Sequence, residues 1–183
     1  MSSPTTNSNN DSPLQDFSNC HSGIIENFNL LLQLAETQIE KPVQKDVSQS
    51  AKQLLNFFET VVLEHHAEEE QELFTEVRDS ARHLQATGEK AVAMIEQLTA
   101  EHRSLEAQWQ ALEPTLRSLA KGKAVSLDCS AAVKLAQDYL AHAEFEEQQF
   151  LPLSATILGE RGLSSLGLSL HMRHHQVHIP GYI

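Results

Sequence analysis

His65-His66-Ala67-Glu68-Glu69-Glu70-Gln71-Glu72-Leu73-Phe74 lies in a stretch that runs from Val43 to Thr87 without glycine or proline. A helix is the natural reading, and in a helix residues four apart lie one above the other. His65 and Glu69 therefore share a face. Leu54, Phe58, Val61/Val62 and Leu73 fall on that same face, so it is the one to be buried. The motif returns as His142-Ala143-Glu144-Phe145-Glu146-Glu147-Gln148-Gln149-Phe150-Leu151-Pro152. Two copies of His-x-x-x-Glu-Glu-Gln, each leading into bulky apolar residues, suggest one metal site built from two helices.

Working outward, three more segments carry helical stripes. Phe17, His21, Ile24, Phe28, Leu31 and Ala35 form the first, which stops near Lys41-Pro42. The second helix starts near Asp46 or Ser48 and reaches about Arg78, with a turn somewhere in 79–88. Met94, Leu98, His102, Leu105, Trp109, Leu112, Leu116 and Leu119 form the third stripe. Pro114 lies inside it as a possible kink, and Lys121-Gly122-Lys123 ends it. The fourth opens near Ser126 or Asp128 and carries Leu135, Tyr139, His142, Glu146, Phe150 and Leu153. Residues 159–162 read as a turn, Leu163 to about His175 as a short further helix, and 179–183 as an extended tail. The expected organisation is a disordered polar tail (1–13), a bundle (14–158) and a C-terminal segment packed on it (159–183). The fold class is all-α, an antiparallel up-down four-helix bundle with a short C-terminal helix.

Every stripe carries a histidine and two carry a glutamate. In an antiparallel pair, residues equally far from the connecting turn share a level. His21 and His65 each lie about 18–19 residues from the first turn, and at the other two turns the paired distances agree to within about four residues. His21, His65, Glu69, His102, His142 and Glu146 are thus expected in one layer of the core. A buried carboxylate without a partner is very costly, whereas a metal turns carboxylate and imidazole into ligands. Four nitrogens and two oxygens without thiolate exceed the needs of one tetrahedral zinc. They suit two carboxylate-bridged ions, and iron or manganese prefer such mixed sites. His66 is placed on the flank of the stripe, with a role as a supporting or alternative ligand left open, and Glu68, Glu70, Glu72 and Glu144 on a solvated acidic face. Trp109 and Phe150 read as core, and Tyr139 as packing with a possible hydrogen bond to a metal-bound species. Cys20 points away from the stripe. His171 and His175 share a helix face that suits an adventitious surface metal.

At these residues the chain resembles the hemerythrin-like family of His-His-Glu cation-binding domains. The carriers are His21, His65-x-x-x-Glu69-Glu70, Glu101-His102 and His142-x-x-x-Glu146-Glu147. The resemblance implies a four-helix bundle around a non-haem di-iron centre. Glu69 and Glu146 would bridge the two iron ions, the four histidines would be terminal ligands, and an open position would take oxygen, nitric oxide or a peroxide. Two departures stand out. The oxygen carriers have five histidines, with a His-x-x-x-His pair on the third helix, where this chain has only His102. Their last carboxylate is an aspartate five residues after its histidine, where this chain has Glu146 at four and Glu147 at five. Glu106 or water is left to complete the coordination.

Composition narrows the partners. The net charge is -12 over 183 residues, which argues against a nucleic-acid backbone or an anionic membrane. No apolar run approaches the roughly 20 residues of a membrane span, and the polar N-terminus has no secretory h-region. Two cysteines, Cys20 and Cys129, give no disulfide framework, so a cytoplasmic location with free thiols is expected. The leading expectation is a di-iron protein that handles or senses oxygen, nitric oxide or iron. A di-iron enzyme of nitric-oxide or peroxide defence or of iron–sulfur repair is the alternative, with a metal-stabilised structural bundle as the third. No protein partner is legible.

Overall fold

The computed structural model describes residues 12–40 and 45–174. The calls on 1–11, on Lys41-Pro42, on His175, and on the 179–183 tail lie outside the described residues. The fold is an all-α bundle of four long helices with a short fifth one. Helix α1 spans Pro13–Glu40. Helix α2 is one rod built of alternating segments: Lys45–Phe57, a π-helical turn Phe58–Val62, Leu63–Glu68, a second π turn Glu69–Leu73, and Phe74–Ala81. Helix α3 spans Gln85–Ala120 and runs through Pro114 without a break. Helix α4 starts at Cys129, where the Asp128 side chain caps it by accepting from the Ala131 N–H at 3.0 Å. It passes through a third π turn, Glu146–Phe150, into Leu151–His174. Gly159 breaks that last segment with φ 55° and ψ -169°, a conformation that favours glycine. We call the helix beyond it, 160–174, α5.

Ser48 does not cap its own helix. Its hydroxyl donates to the Ala120 carbonyl at 2.7 Å, satisfying an end of α3 instead. The turn expected over 159–162 is confined to Gly159, and Gly162 is buried in α5 against Leu158.

The core has two apolar halves. One gathers Ile24, Phe28, Phe58, Leu105, Trp109 and Leu135, with Phe58 stacked on Trp109 at 4.1 Å. The other gathers Phe17, Leu73, Phe74, Leu98, Phe150 and Leu166, with Phe74 edge-on to Phe150 at 5.2 Å. Trp109 and Phe150 are core, as their place in the stripes implies. A buried polar layer belongs to neither half, and it forms the candidate site.

The π turns position that layer. An ideal α-helix repeats every 3.6 residues, so a stripe stepping by four drifts around the axis. Buried residues follow Glu69 at Leu73, Val77 and Ala81, and follow Glu146 at Phe150, Ser154 and Leu158. A π turn holds more residues per turn and takes up the drift. Two of the three π turns open at Glu69 and Glu146 themselves.

Candidate metal centre

Seven polar residues converge between the apolar halves: His21 from α1, His65, His66 and Glu69 from α2, His102 from α3, and His142 and Glu146 from α4. All are buried, none more than 3% exposed. The structure brings together all six residues singled out from the stripes. It adds His66, which corrects its placement on the flank. The π turn Phe58–Val62 rotates the segment after it, so two adjacent histidines straddle the inward direction. His66 stacks on His102 with ring centroids 3.9 Å apart and planes 6° apart. The fifth imidazole of the layer thus comes from α2, not from the third helix. The signal for it was the run of four-residue steps, which a 3.6-residue period cannot follow.

The two carboxylates lie between the imidazoles. Glu69 Oε1 is 3.4 Å from His65 Nε2 and 3.8 Å from His21 Nε2, while its Oε2 is 3.3 Å from His102 Nε2. Glu146 Oε2 is 2.9 Å from His21 Nε2 and 3.6 Å from His142 Nε2. None of these approaches has hydrogen-bond alignment: both oxygens of Glu69 and of Glu146, and the Nε2 atoms of all five histidines, are buried without a hydrogen-bond partner. Such a concentration of buried unpaired atoms is very costly in a protein interior, and a cation at their focus would satisfy them together. The donor atoms fall into overlapping groups, each within 4.8 Å: His21, His65, Glu69 and Glu146; Glu69, His102, His142 and Glu146; and His66, His102 and His142. The residues fit a metal, and both carboxylates belong to two groups.

Outside the layer stands a ring of carboxylates. His21 Nδ1 meets Glu147 at 2.7 Å, His66 Nδ1 meets Glu106 at 3.1 Å, His102 Nδ1 meets Glu70 at 2.9 Å and His142 Nδ1 meets Glu101 at 2.9 Å. An Nδ1–H donating outward leaves the Nε2 lone pair facing inward, the arrangement that holds and strengthens an imidazole ligand. Glu70 therefore leaves the solvated face expected of it, and it also accepts from Arg103 at 2.5 Å. Glu106 and Glu147 support histidines and are in none of the donor groups. The Glu-Glu doublets divide the work: Glu69 and Glu146 face in, while Glu70 and Glu147 reach to a histidine on another helix. His65 differs from the other four, because its Nδ1 has no hydrogen-bond partner.

Electrostatics follow the geometry. Burial pushes His65 and His102 well below the ordinary imidazole value, and neighbouring imidazoles push the same way. Burial also lowers His66, partly offset by Glu106. For His21 burial is outweighed by Glu146 and Glu147, and the net direction is up. Glu69 is pushed well up by burial and then by Glu146. Glu101 is lowered by its bond from His142, and Glu106 by its bond from His66.

Tyr139 is fully buried, and its ring lies 5.6 Å from that of His142. Its hydroxyl has no hydrogen-bond partner. Cys20 is half-buried, in none of the donor groups, and its thiol is pushed up to about 11 by burial and then by Glu68. Glu68 and Glu72 are also drawn off the solvated face: Glu68 pairs with His174 and Glu72 with Ser169 of α5. Glu144 stays exposed, bonded to Gln148. Among the described residues, neither His171 nor His174 falls in a metal-competent group.

A four-helix bundle with a sealed layer of imidazoles and carboxylates defines a class, the metal-binding bundles. The model of the hemerythrin HHE cation-binding domain matches residues 12–154, and the chain belongs to that family. No curated protein and no solved structure matches it. Among the described residues no helix is long and apolar enough to cross a membrane.

Proposed function

We propose that the protein is a non-haem di-iron protein that binds a small ligand such as oxygen or nitric oxide at its metal centre. One observation carries this reading: the donor groups overlap through Glu69 and Glu146, which belong both to the group of His21 and His65 and to the group of His102 and His142. His66, His102 and His142 would hold one ion, His21 and His65 the other, with Glu69 and Glu146 shared. Five imidazoles and two carboxylates in one layer exceed what one tetrahedral zinc takes, and such a mixed donor set suits iron. An iron pair held by these residues would supply redox chemistry and a position for the small ligand.

The chain's own residues shape that position. The carboxylate ring keeps each tethered imidazole in one tautomer and one orientation. Phe74 stacks near His102 at 5.9 Å and Phe17 lies 6.0 Å from His65, so apolar rings close the layer against water. The Tyr139 hydroxyl is a donor available to a polar ligand.

Iron analysis and the visible absorption spectrum of anaerobically reconstituted protein test the reading. Close to two irons per chain are expected, with a spectrum that changes on adding oxygen or nitric oxide. Less than about one iron per chain after reconstitution would sink it. Turnover of peroxide or nitric oxide by the reduced protein separates an enzyme from a binder.

A further inference from the structure

The metal layer is closed on all sides, so an ion needs a way in. Two hollows touch it. A groove of about 370 Å³ meets His142 beside Glu101 and Asp138. A cavity of about 620 Å³ lies between α1, α2 and α5, and the His65 ring lines it together with Phe17, Asp16, Glu68, His171 and His174.

The two differ in what stands at their inner end. The His142 ring is tied to Glu101. The His65 ring, 2% exposed, has both nitrogens free of hydrogen bonds. It is the one imidazole of the layer whose Nδ1 has no carboxylate partner, and so the one most able to turn towards an arriving ion. Carboxylate and imidazole donors from three helices border the cavity, a suitable set for a divalent cation. Glu68 lines the same cavity, three residues after His65 on α2. It pairs with His174 and, at 3.9 Å, with Arg173. Arg173 bonds Glu64 at 2.8 Å and Gln71 at 2.7 Å, which fixes the end of α5 beside the mouth. The net charge of -12 draws cations towards such an opening.

We propose that this cavity is the port through which a divalent cation reaches the centre, with Asp16 and Glu68 as its guiding carboxylates and His65 as the receiving ligand. The proposal rests on the metal-centre reading above. α5, which contributes Leu170, His171 and His174 to the lining, lies beyond the 12–154 family match.

The test mixes metal-free full-length protein with Co²⁺ and follows the visible absorption of the bound ion. Asp16→Asn with Glu68→Gln should slow loading about tenfold at low salt and leave the final cobalt content unchanged. Asp138→Asn, in the groove at His142, should load at the wild-type rate. Circular dichroism checks the fold, and if the double variant folds poorly the single Glu68→Gln carries the comparison. Unchanged loading in the port variant overturns the proposal, as does equal slowing by Asp138→Asn. A lower final cobalt content also overturns it, because Glu68 or Asp16 would then belong to the centre itself. A wild-type chain that takes up no cobalt overturns the metal reading, and the port with it.

Discussion

At the scale of single residues, His66 changes the chemistry of the layer most. Truncating it removes one imidazole of the three-histidine side, so His66→Ala should lower iron content well below that of wild type. An unchanged content on iron analysis would place His66 outside the coordination. The outer carboxylates act at one remove. Glu106→Gln keeps the shape and removes the charge that holds His66, and it should weaken metal affinity by about 10–100-fold in a chelator competition. Tyr139 gives the opposite sign in the metal-free chain. A buried hydroxyl without a partner costs about 1–3 kcal/mol. Tyr139→Phe should therefore raise the stability of the metal-free protein in urea unfolding by about 1 kcal/mol. A loss of stability would mean that the hydroxyl has a partner after all.

At the scale of helices, the stripes were legible because His21, Ile24 and Phe28, or Leu98, His102 and Leu105, follow the α period closely. Equal distances from the turns were enough to put four histidines and two glutamates at one level. The π turns show in the sequence only as runs of four-residue steps, and reading with a 3.6-residue period hides the extra residue per turn. His66 was misplaced for that reason alone. The carboxylate ring was missed for another: Glu70 and Glu147 look like surface residues until the neighbouring helix that carries their histidine is in place. The break between α4 and α5 is a local matter. Gly159 has a positive φ with open space around its Cα, so Gly159→Ala meets backbone strain and no clash. It should cost about 1–2 kcal/mol in chemical denaturation while leaving metal content intact.

At the scale of the whole molecule, the polar layer makes stability depend on what it binds. The metal-free chain encloses two carboxylates and five imidazoles whose inward atoms find no hydrogen bond. A ligand that binds only the folded state stabilises it by about 4 kcal/mol at a thousand times its dissociation constant. Calorimetry should show a clear rise in melting temperature on metal loading, reversed by a chelator. An unchanged melting temperature would mean that the layer is satisfied without an ion.

The division of the core into an apolar half around Trp109 and another around Phe74 and Phe150 has a kinetic counterpart. Each half is a contiguous packed unit, and such units open cooperatively. In the metal-free protein, amide hydrogen exchange should reveal two islands of slow protons separated by a faster belt at the histidines. Metal would fuse the islands into one. The ion would then be the linchpin that lets this bundle breathe as a single body.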